Sequence, residues 1–297
     1  NNPVIDEVIL FDYKAKQNSL GKMWSMVKEI RARRFDLAIS LDRKLRPAIL
    51  CWLAGIPVRV GPDRVFDDKP SKVTSLYTQV VKIPHNLENT LQAETYQQII
   101  RAFTGIDGHA VPVMANIMER DKSAAGQLLA QLPSAATRIA LCVKGTFALK
   151  TWPKEYFSQL VKMLAEKYDA AFFIVGAPGD RLYADEVIAA MAPVHVQNFC
   201  GQTTLTSLAS LISHADLFVT VDTGATHIAA TTGAPMVTIY GCTSPRRWHP
   251  YNENAIVLSR ELDCCPCKIS PEDCPSWPRP ACLWSLRPEQ VMEKCEA

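Results

Sequence analysis

The stretch from residue 216 to residue 240 constrains the fold of this chain more than any other. An apolar run at 216–221 leads into a polar turn at 222–224, small residues follow at 225–230, and a second apolar run occupies 236–240. Two short apolar runs on either side of a helical segment predict a strand, a helix and a second strand parallel to the first. The sequence therefore predicts an α/β fold with parallel sheets.

The turn of this unit is a candidate binding site. Asp222 or Thr223 is placed to cap the helix, and the free N–H groups around Gly224 favour an anion together with the helix dipole. A diphosphate suits such a turn at the carboxyl end of a strand. In the alternative interpretation the helix is an ordinary capped helix and His227 fills a polar gap. The turn alone leaves the two interpretations even.

A second strand end carries a hydroxyl group and a cation. Residues 139–143 are apolar, Thr146 and Lys150 follow them, and Pro153 opens a helix predicted at 154–167. Lysine suits a phosphate because its ammonium is a mobile point charge. A solvated loop lysine is the alternative.

Length and composition favour two domains. The 297 residues are 48% apolar, enough to bury two cores of ordinary size. The predicted helices lie near 20–34, 87–103, 154–167, 180–191 and 205–213. The polar, irregular segment at 104–134 is the predicted domain crossing. A net charge of +2 does not demand nucleic acid as a partner, and no apolar run reaches the roughly 18 to 20 residues of a membrane span.

Both loops resemble motifs of the family 9 glycosyltransferases, the heptosyltransferases of lipopolysaccharide core synthesis. Residues 150–153, Lys-Thr-Trp-Pro, match that family's Lys-x-Trp-Pro motif. Residues 222–230 match its Asp-[Ser/Thr]-Gly-x-x-His-x-[Ala/Thr]-Ala motif in order and spacing. Further segments extend the resemblance over most of the chain, at 35–42, 53–61, 174–180 and 198–201.

The resemblance implies a GT-B architecture, in which two Rossmann-like doubly wound domains face a cleft. Residues 1–118 are then the acceptor-side domain, and residues 119–297 are the nucleotide-sugar-binding domain with a Cys-rich tail. Family members begin with a strand and a Gly-Asp loop whose Asp is thought to be the catalytic base. This chain starts at a point that resembles a later position in the family, so the first domain is expected to lack that strand and loop. The base is expected upstream of Asn1, with Asp42 or Asp222 as substitutes if this chain alone transfers sugar.

The resemblance also implies an inverting, metal-independent transfer of heptose from ADP-heptose to the lipopolysaccharide inner core, without a cofactor. The enzyme is then cytoplasmic or peripheral at the inner face of the inner membrane. The implied donor-binding residues are Thr146, Lys150, Asp222, Thr223, Gly224 and His227. Thr146, Lys150 and the Gly224 amide region are expected to stabilise charge on the leaving diphosphate. Asp222 is expected to orient sugar hydroxyls or cap the helix, and His227 to donate to a phosphate or sugar oxygen, with a core-facing histidine as its alternative.

Three basic residues are candidates for binding the acceptor. Arg43, Lys44 and Arg46 follow a predicted strand that ends at Leu41, so they lie at a strand's carboxyl end. A phosphorylated lipid acceptor suits such a group of donors. A solvated charged loop is the alternative.

Ten cysteines fall into two classes. Four lie in or near apolar elements and are predicted to be small buried hydrophobes: Cys51, Cys142, Cys200 and Cys242. The rest crowd the tail: Cys264, Cys265, Cys267, Cys274, Cys282 and Cys295. The Cys-x-Cys spacing argues against zinc. Whether the tail thiols bind a metal or form disulfides stays open. We expect a structural role for the tail and no metal in the reaction.

Two other functions stay open on the sequence. A related enzyme could use another nucleotide sugar, because base and sugar contacts come from variable loops. A non-catalytic sugar-nucleotide-binding fragment is the second alternative. Binding assays with ADP-heptose and with UDP-sugars separate the donors.

Overall fold

The computed structural model describes residues 5–11, 20–41, 45–64, 70–83, 89–108, 112–114, 116–267 and 270–296. Contacts divide the chain into two units, Ile5–Ala110 and Val111–Ala297. Both units are built on parallel sheets, as the alternation of apolar runs and helices predicted. The domain roles predicted for residues 1–118 and 119–297 stay predictions.

The first unit has a three-stranded parallel sheet in the order β1-β2-β3. Its elements in chain order are α1 (Leu20–Ala32), β1 (Leu37–Ile39), α2 (Leu45–Ala54), β2 (Val58–Pro62), a 3₁₀ turn (Lys72–Leu76), β3 (Gln79–Val81) and α3 (Gln92–Thr104). Val60 in β2 and Ile99 in α3 are fully buried and join one apolar cluster. The central strand is thus covered by a helix, as parallel strands require.

The second unit has a six-stranded parallel sheet in the order β6-β5-β4-β7-β8-β9. Its first elements are α4 (Glu119–Leu129), β4 (Thr137–Cys142), α5 (Lys154–Lys167), β5 (Ala170–Ile174), α6 (Arg181–Met191), β6 (Val196–Asn198) and α7 (Leu205–Ile212). The remaining elements are β7 (Leu217–Val221), α8 (Gly224–Ala230), β8 (Met236–Ile239), α9 (Pro245–Trp248), β9 (Ala255–Leu258), α10 (Ala281–Trp284) and α11 (Pro288–Cys295). From the middle of the sheet, β4, β5 and β6 follow one another toward one edge, and β7, β8 and β9 follow one another toward the other edge. This is the strand order of a doubly wound Rossmann-type sheet.

Side chains of β4 divide between two apolar layers, one on each face of the sheet. Ile139 and Leu141 join a cluster that contains Phe157 of α5, whereas Ala140 and Cys142 join a cluster with α4 and α7. Alternate residues of a strand point to opposite faces, so a strand in the middle of this sheet is buried on both faces and is mostly apolar. The continuous apolar runs of the sequence reflect that double burial.

The helix predicted at 154–167 is confirmed by α5, Lys154–Lys167. The prediction that 104–134 is irregular was wrong, because α4 spans Glu119–Leu129. The carboxylate of Asp121 accepts the Met118 N–H at 3.0 Å, which satisfies one free donor of the first turn. Ala125 and Leu128 then pack in the sheet's second apolar layer. Leu129 packs against the same layer, but most other residues of α4 are polar, and this polar composition concealed the helix.

The C-terminal tail belongs to the core of the second unit. Trp152 is fully buried and its Nε1–H donates to the Leu286 carbonyl oxygen at 2.9 Å. Leu283 and Val291 lie in the same apolar cluster as Phe157. The tryptophan of the Lys-Thr-Trp-Pro motif therefore anchors the tail. Within the described ranges, no helix combines the length and apolar character needed to cross a membrane.

Candidate functional site

The two predicted loops lie side by side at one edge of the second unit's sheet. β4 and β7 pair in parallel, with Cys142 opposite Thr220, so the loops that follow them leave the sheet at neighbouring points. The strand order reverses between these two strands. In open α/β sheets, ligands bind beyond the carboxyl ends of the strands at such a reversal.

Lys150, Asp222 and Thr243 form what we call the ion-pair cluster. Lys150 Nζ lies 2.6 Å from Asp222 Oδ2, and Thr243 Oγ1 donates to the same oxygen at 2.5 Å. The side chains of Lys150 and Asp222 are only 17% and 6% exposed. A buried carboxylate is unfavourable unless it is paired, and these two donors meet that requirement.

The backbone around Lys150 is folded tightly against a glycine. Lys150 ends a short 3₁₀ helix, Ala148–Lys150, and its N–H donates to the Phe147 carbonyl oxygen at 2.9 Å. Gly145 N–H donates to Thr151 Oγ1 at 3.2 Å. A Cβ atom on residue 145 would lie 2.5 Å from the Lys150 carbonyl oxygen, so this approach requires glycine.

The turn after β7 places Asp222 and Thr223 in different roles. Thr223 is the N-cap residue of α8, with φ −151° and ψ 170°, but within the described chain its side chain makes no capping hydrogen bond. The Asp222 N–H donates to the Ile239 carbonyl oxygen at 3.2 Å, which continues the pairing of β7 with β8. The Asp222 carboxylate is turned toward Lys150, an arrangement that the interpretation as an ordinary capped helix does not explain.

A cavity of about 480 Å³ opens beside the two loops, and the segments that follow β5 and β6 complete its wall. Thr146, Thr223 and Gly224 line it, and Leu205 and Leu208 are among its apolar neighbours. The volume lies in the range of small-molecule sites, roughly 300–1,000 Å³. Three of the six predicted donor-binding residues therefore share one cavity.

The other predicted donor-binding residues lie outside that lining, as far as the described chain defines it: Lys150, Asp222 and His227. His227 is exposed on α8, so the alternative of a core-facing histidine was wrong. Burial of part of its ring by protein atoms lowers the pKa of His227. The negative charge of Asp222 opposes this shift, whereas the positive charges of Lys150 and His249 add to it.

The sequence model of glycosyltransferase family 9 (heptosyltransferase) matches residues 23–277. The chain belongs to this family. The match includes both loops of the candidate site.

Relatives of this family 9 chain are found among curated proteins and among solved structures. It is 30% identical to lipooligosaccharide heptosyltransferase 2 of Campylobacter jejuni over 150 residues, which are 50% of this chain and 46% of that relative. It resembles the family 9 glycosyltransferase structure from Veillonella parvula DSM 2008 with a TM-score of 0.80 and 23% identity, covering 99% of this chain and 83% of the other. The likeness to the E. coli ADP-heptose lipopolysaccharide heptosyltransferase II structure has a TM-score of 0.71 and 23% identity, covering 93% and 80%. The chain thus spans about half the length of the Campylobacter relative, and the structural likeness confirms the predicted two-domain α/β fold.

The predicted acceptor residues of this family 9 chain are in the first unit. Arg43 and Lys44 lie outside the described residues, as does Asp42, the substitute candidate for the base. Arg46 is exposed near the start of α2, Leu45–Ala54. Their role in acceptor binding stays a prediction.

Sequence reasoning missed several polar residues of the site, and three of them make an ion pair or a hydrogen bond there. Thr243 follows β8 and reaches Asp222, and Lys144 and Asp180 line the cavity with an ion pair of 3.0 Å between Lys144 Nζ and Asp180 Oδ1. The available signal was position: all three lie shortly after a strand of the same sheet, β8, β4 and β5 respectively. Carboxyl ends of neighbouring parallel strands meet at one edge, so each was a candidate once the sheet order was known.

The ten cysteines, all of which lie in the described part of the chain, are free thiols. Cys282 is buried in the main apolar cluster of the second unit. Burial raises the pKa of its thiol to about 11, partly offset by a hydrogen bond with Cys265. A thiol with a raised pKa stays protonated at neutral pH and is a poor nucleophile and metal ligand. Among the residues described, no group of three or more His, Cys, Asp or Glu side chains is arranged to hold a metal ion.

Proposed function

We propose that this family 9 glycosyltransferase transfers heptose from ADP-heptose to a hydroxyl group of the lipopolysaccharide inner core. Family membership supports the reaction class, and the E. coli structure that the chain resembles is that of an ADP-heptose lipopolysaccharide heptosyltransferase. The observation that carries the proposal is the position of Lys150. Its ammonium is held at the reversal point of a Rossmann-type sheet, where the loops after β4 and β7 contribute to the wall of a ligand-sized cavity.

The proposed reaction is a single displacement. The acceptor oxygen attacks the anomeric carbon from the face opposite the diphosphate. The bond from that carbon to the diphosphate oxygen breaks, its electron pair stays on the diphosphate, and the configuration inverts. The acceptor hydroxyl loses its proton to a general base, a role that none of the donor-site residues takes in this proposal.

The donor site then stabilises the charge that grows on the leaving diphosphate. Lys150 supplies a cation, and Thr146 and Thr223 supply hydroxyl groups at the cavity wall. The apolar part of the cavity, with Leu205 and Leu208, suits the nucleoside. The Asp222 carboxylate is assigned to accept from hydroxyl groups of the sugar, and His227 to donate to a phosphate or sugar oxygen. No cofactor enters the reaction.

The acceptor side of the proposal rests on charge. The phosphate groups of a lipid acceptor suit Arg43, Lys44 and Arg46. The acceptor is presented at the inner face of the inner membrane, so we assign the enzyme a peripheral position on the cytoplasmic side.

Substitution of Lys150 tests the donor site. A charge-assisted hydrogen bond contributes about 1.5–3 kcal/mol, so Lys150→Ala should weaken ADP and ADP-heptose binding by at least about tenfold in isothermal calorimetry. Lys154→Ala is the matched control, because Lys154 lies on α5, is 44% exposed and pairs with Glu186 at 3.5 Å. The control should bind as the wild type does.

Three results would change the proposal. Equal ADP affinity for Lys150→Ala and the wild type removes Lys150 from the site. Preference for a UDP-sugar over ADP-heptose assigns another nucleotide sugar. Tight ADP-heptose binding without heptose transfer by the whole protein supports a non-catalytic sugar-nucleotide-binding protein.

A further inference from the structure

Thr243 occupies a position in the site that neither sequence motif includes. Its hydroxyl donates to Asp222 Oδ2 at 2.5 Å, and Lys150 Nζ lies 2.6 Å from the same oxygen. One carboxylate oxygen therefore has two donors, one charged and one neutral. The Asp222 side chain is only 6% exposed, so little solvent competes with the Thr243 hydroxyl for this oxygen.

The backbone before Thr243 is held from two sides. A Cβ atom on Gly241 would lie 2.3 Å from the Leu149 carbonyl oxygen, and the Cys242 N–H donates to that oxygen at 3.3 Å. On the other side, the Cys267 N–H donates to the Cys242 carbonyl oxygen at 2.8 Å. The loop after β8 is thus attached both to the Lys150 loop and to the C-terminal tail. This attachment fixes the direction from which Thr243 approaches Asp222.

The ion-pair cluster poses a problem for donor binding. An ammonium that neutralises a diphosphate must give up part of its contact with Asp222. A buried carboxylate that loses its only partner carries a desolvation penalty, and that penalty weakens donor binding. A second donor that stays on the carboxylate reduces the penalty.

We propose that Thr243 is a positioning residue that keeps Asp222 hydrogen-bonded while Lys150 moves from Asp222 toward the diphosphate of the donor. This inference rests on the proposed function, because it requires a diphosphate in the site. Thr243 itself does not touch the diphosphate. It acts through Asp222, and its effect on donor binding depends on Lys150.

The test compares three single variants by calorimetric titration with ADP and by heptose-transfer kinetics. Thr243→Val removes the hydroxyl at nearly constant volume and should raise the ADP dissociation constant about tenfold. Thr243→Ser keeps the hydroxyl and should bind within about twofold of the wild type. Thr238→Val is the control: Thr238 lies in β8, is fully buried, and its Oγ1 has no hydrogen-bond partner among the described residues. This control should leave ADP affinity unchanged.

A double substitution separates positioning from general damage. In a Lys150→Ala background no ammonium has to leave Asp222, so adding Thr243→Val should change the ADP dissociation constant by less than about twofold. An equal loss in both backgrounds would show that Thr243 acts independently of Lys150 and would overturn the inference. Unchanged ADP affinity for Thr243→Val alone would overturn it too.

These outcomes distinguish the inference from the proposed function. If the wild type binds no ADP, or Lys150→Ala binds ADP normally, the donor site itself is refuted. If Lys150→Ala is impaired and Thr243→Val is normal, only the role of Thr243 fails. Thermal unfolding monitors the fold, and should Thr243→Val not fold, Thr243→Ala removes the same hydroxyl without a second methyl group beside Lys150 and decides the question.

Discussion

The cavity and the ion-pair cluster lie next to each other but are built differently. At the cavity wall, Thr146, Thr223 and Gly224 are neutral, and the Lys144–Asp180 ion pair is partly exposed, with side chains 35% and 25% exposed. The cluster joins charged and polar side chains from the loops after three strands. Segments that follow β4, β5, β6 and β7 line the cavity, whereas the cluster exists only when β4, β7 and β8 are in register.

This difference predicts two kinds of sensitivity. A change of Thr146, Thr223 or Gly224 at the cavity wall should alter ligand binding with little effect on stability, because no buried charge depends on these residues. A change in the cluster should affect both, because each member satisfies another. Variants of the cluster should therefore lose more stability than variants of the cavity wall.

Removal of Asp222 should have the largest effect on stability. Asp222→Ala leaves Lys150 and Thr243 without their shared acceptor, and breaking a buried pair costs about 3–5 kcal/mol. Since Lys150 is 17% exposed and can turn toward solvent, we expect about 3 kcal/mol in urea unfolding. ADP affinity should be retained, because the released ammonium is available to the diphosphate, while heptose transfer is lost.

Asp216→Ala is the control for Asp222→Ala. Asp216 lies just before β7, is exposed, and accepts the Arg138 N–H at 2.7 Å. Its removal should change stability by about 1 kcal/mol at most, because it is a single solvent-exposed bond. Similar stability losses for the two variants would show that the cluster is no more demanding than a surface contact.

The strands and helices that carry the two loops could be predicted well from the sequence. The amphipathic pattern at 154–167 and the apolar run that ends at Val221 match α5 and β7 closely. The position of both loops at the carboxyl ends of strands follows from these patterns alone. What could not be predicted is the pairing of Asp222 with Thr243, because it depends on β7 lying beside β8 with Val221 opposite Ile239. The spacing of residues in the sequence does not predict that register.

The same limit explains the error at α4. Its helix is supported by packing against α7 through Ala125 and Leu128, contacts more than seventy residues apart in the chain. A mostly polar segment with few core-facing residues has a weak helical pattern on its own. Packing against α7 supplies the remaining stabilisation of α4.

Two glycines at the site should respond differently to alanine. A Cβ atom on Gly145 would lie 2.5 Å from the Lys150 carbonyl oxygen, so Gly145→Ala should cost about 1–3 kcal/mol and weaken ADP binding by displacing Lys150. A Cβ atom on Gly224 meets nothing within 4 Å, so Gly224→Ala should keep stability within about 0.5 kcal/mol. Its methyl group would occupy the cavity wall and weaken ADP binding only. Urea unfolding and ADP titration of both variants check this, and a large stability loss for Gly224→Ala would contradict the open space at that residue.

The smallest expected effect is a proton taken up when ADP binds. In the free protein, the pKa of His227 is lowered by partial burial and by the charges of Lys150 and His249, against the opposing charge of Asp222. A bound diphosphate adds negative charge, and negative charge near an imidazole favours its protonated form. Binding should therefore raise the pKa of His227. About pH 6 is just below the ordinary histidine pKa of about 6.5. At this pH, His227 should be protonated in a larger fraction of the ADP complex than of the free protein.

Calorimetry in two buffers of different ionisation enthalpy measures that proton. The wild type should take up a fraction of a proton at about pH 6 and a smaller fraction at about pH 8, further above the ordinary histidine value. ADP loses some of its own phosphate protons on binding, and His227→Gln isolates the histidine's contribution because it removes only the imidazole. The informative quantity is therefore the difference between wild type and variant in the number of protons taken up when ADP binds. If the two proteins exchange the same number of protons at about pH 6, His227 does not sense the diphosphate, and the cavity with Lys150 is then the whole of the anion site.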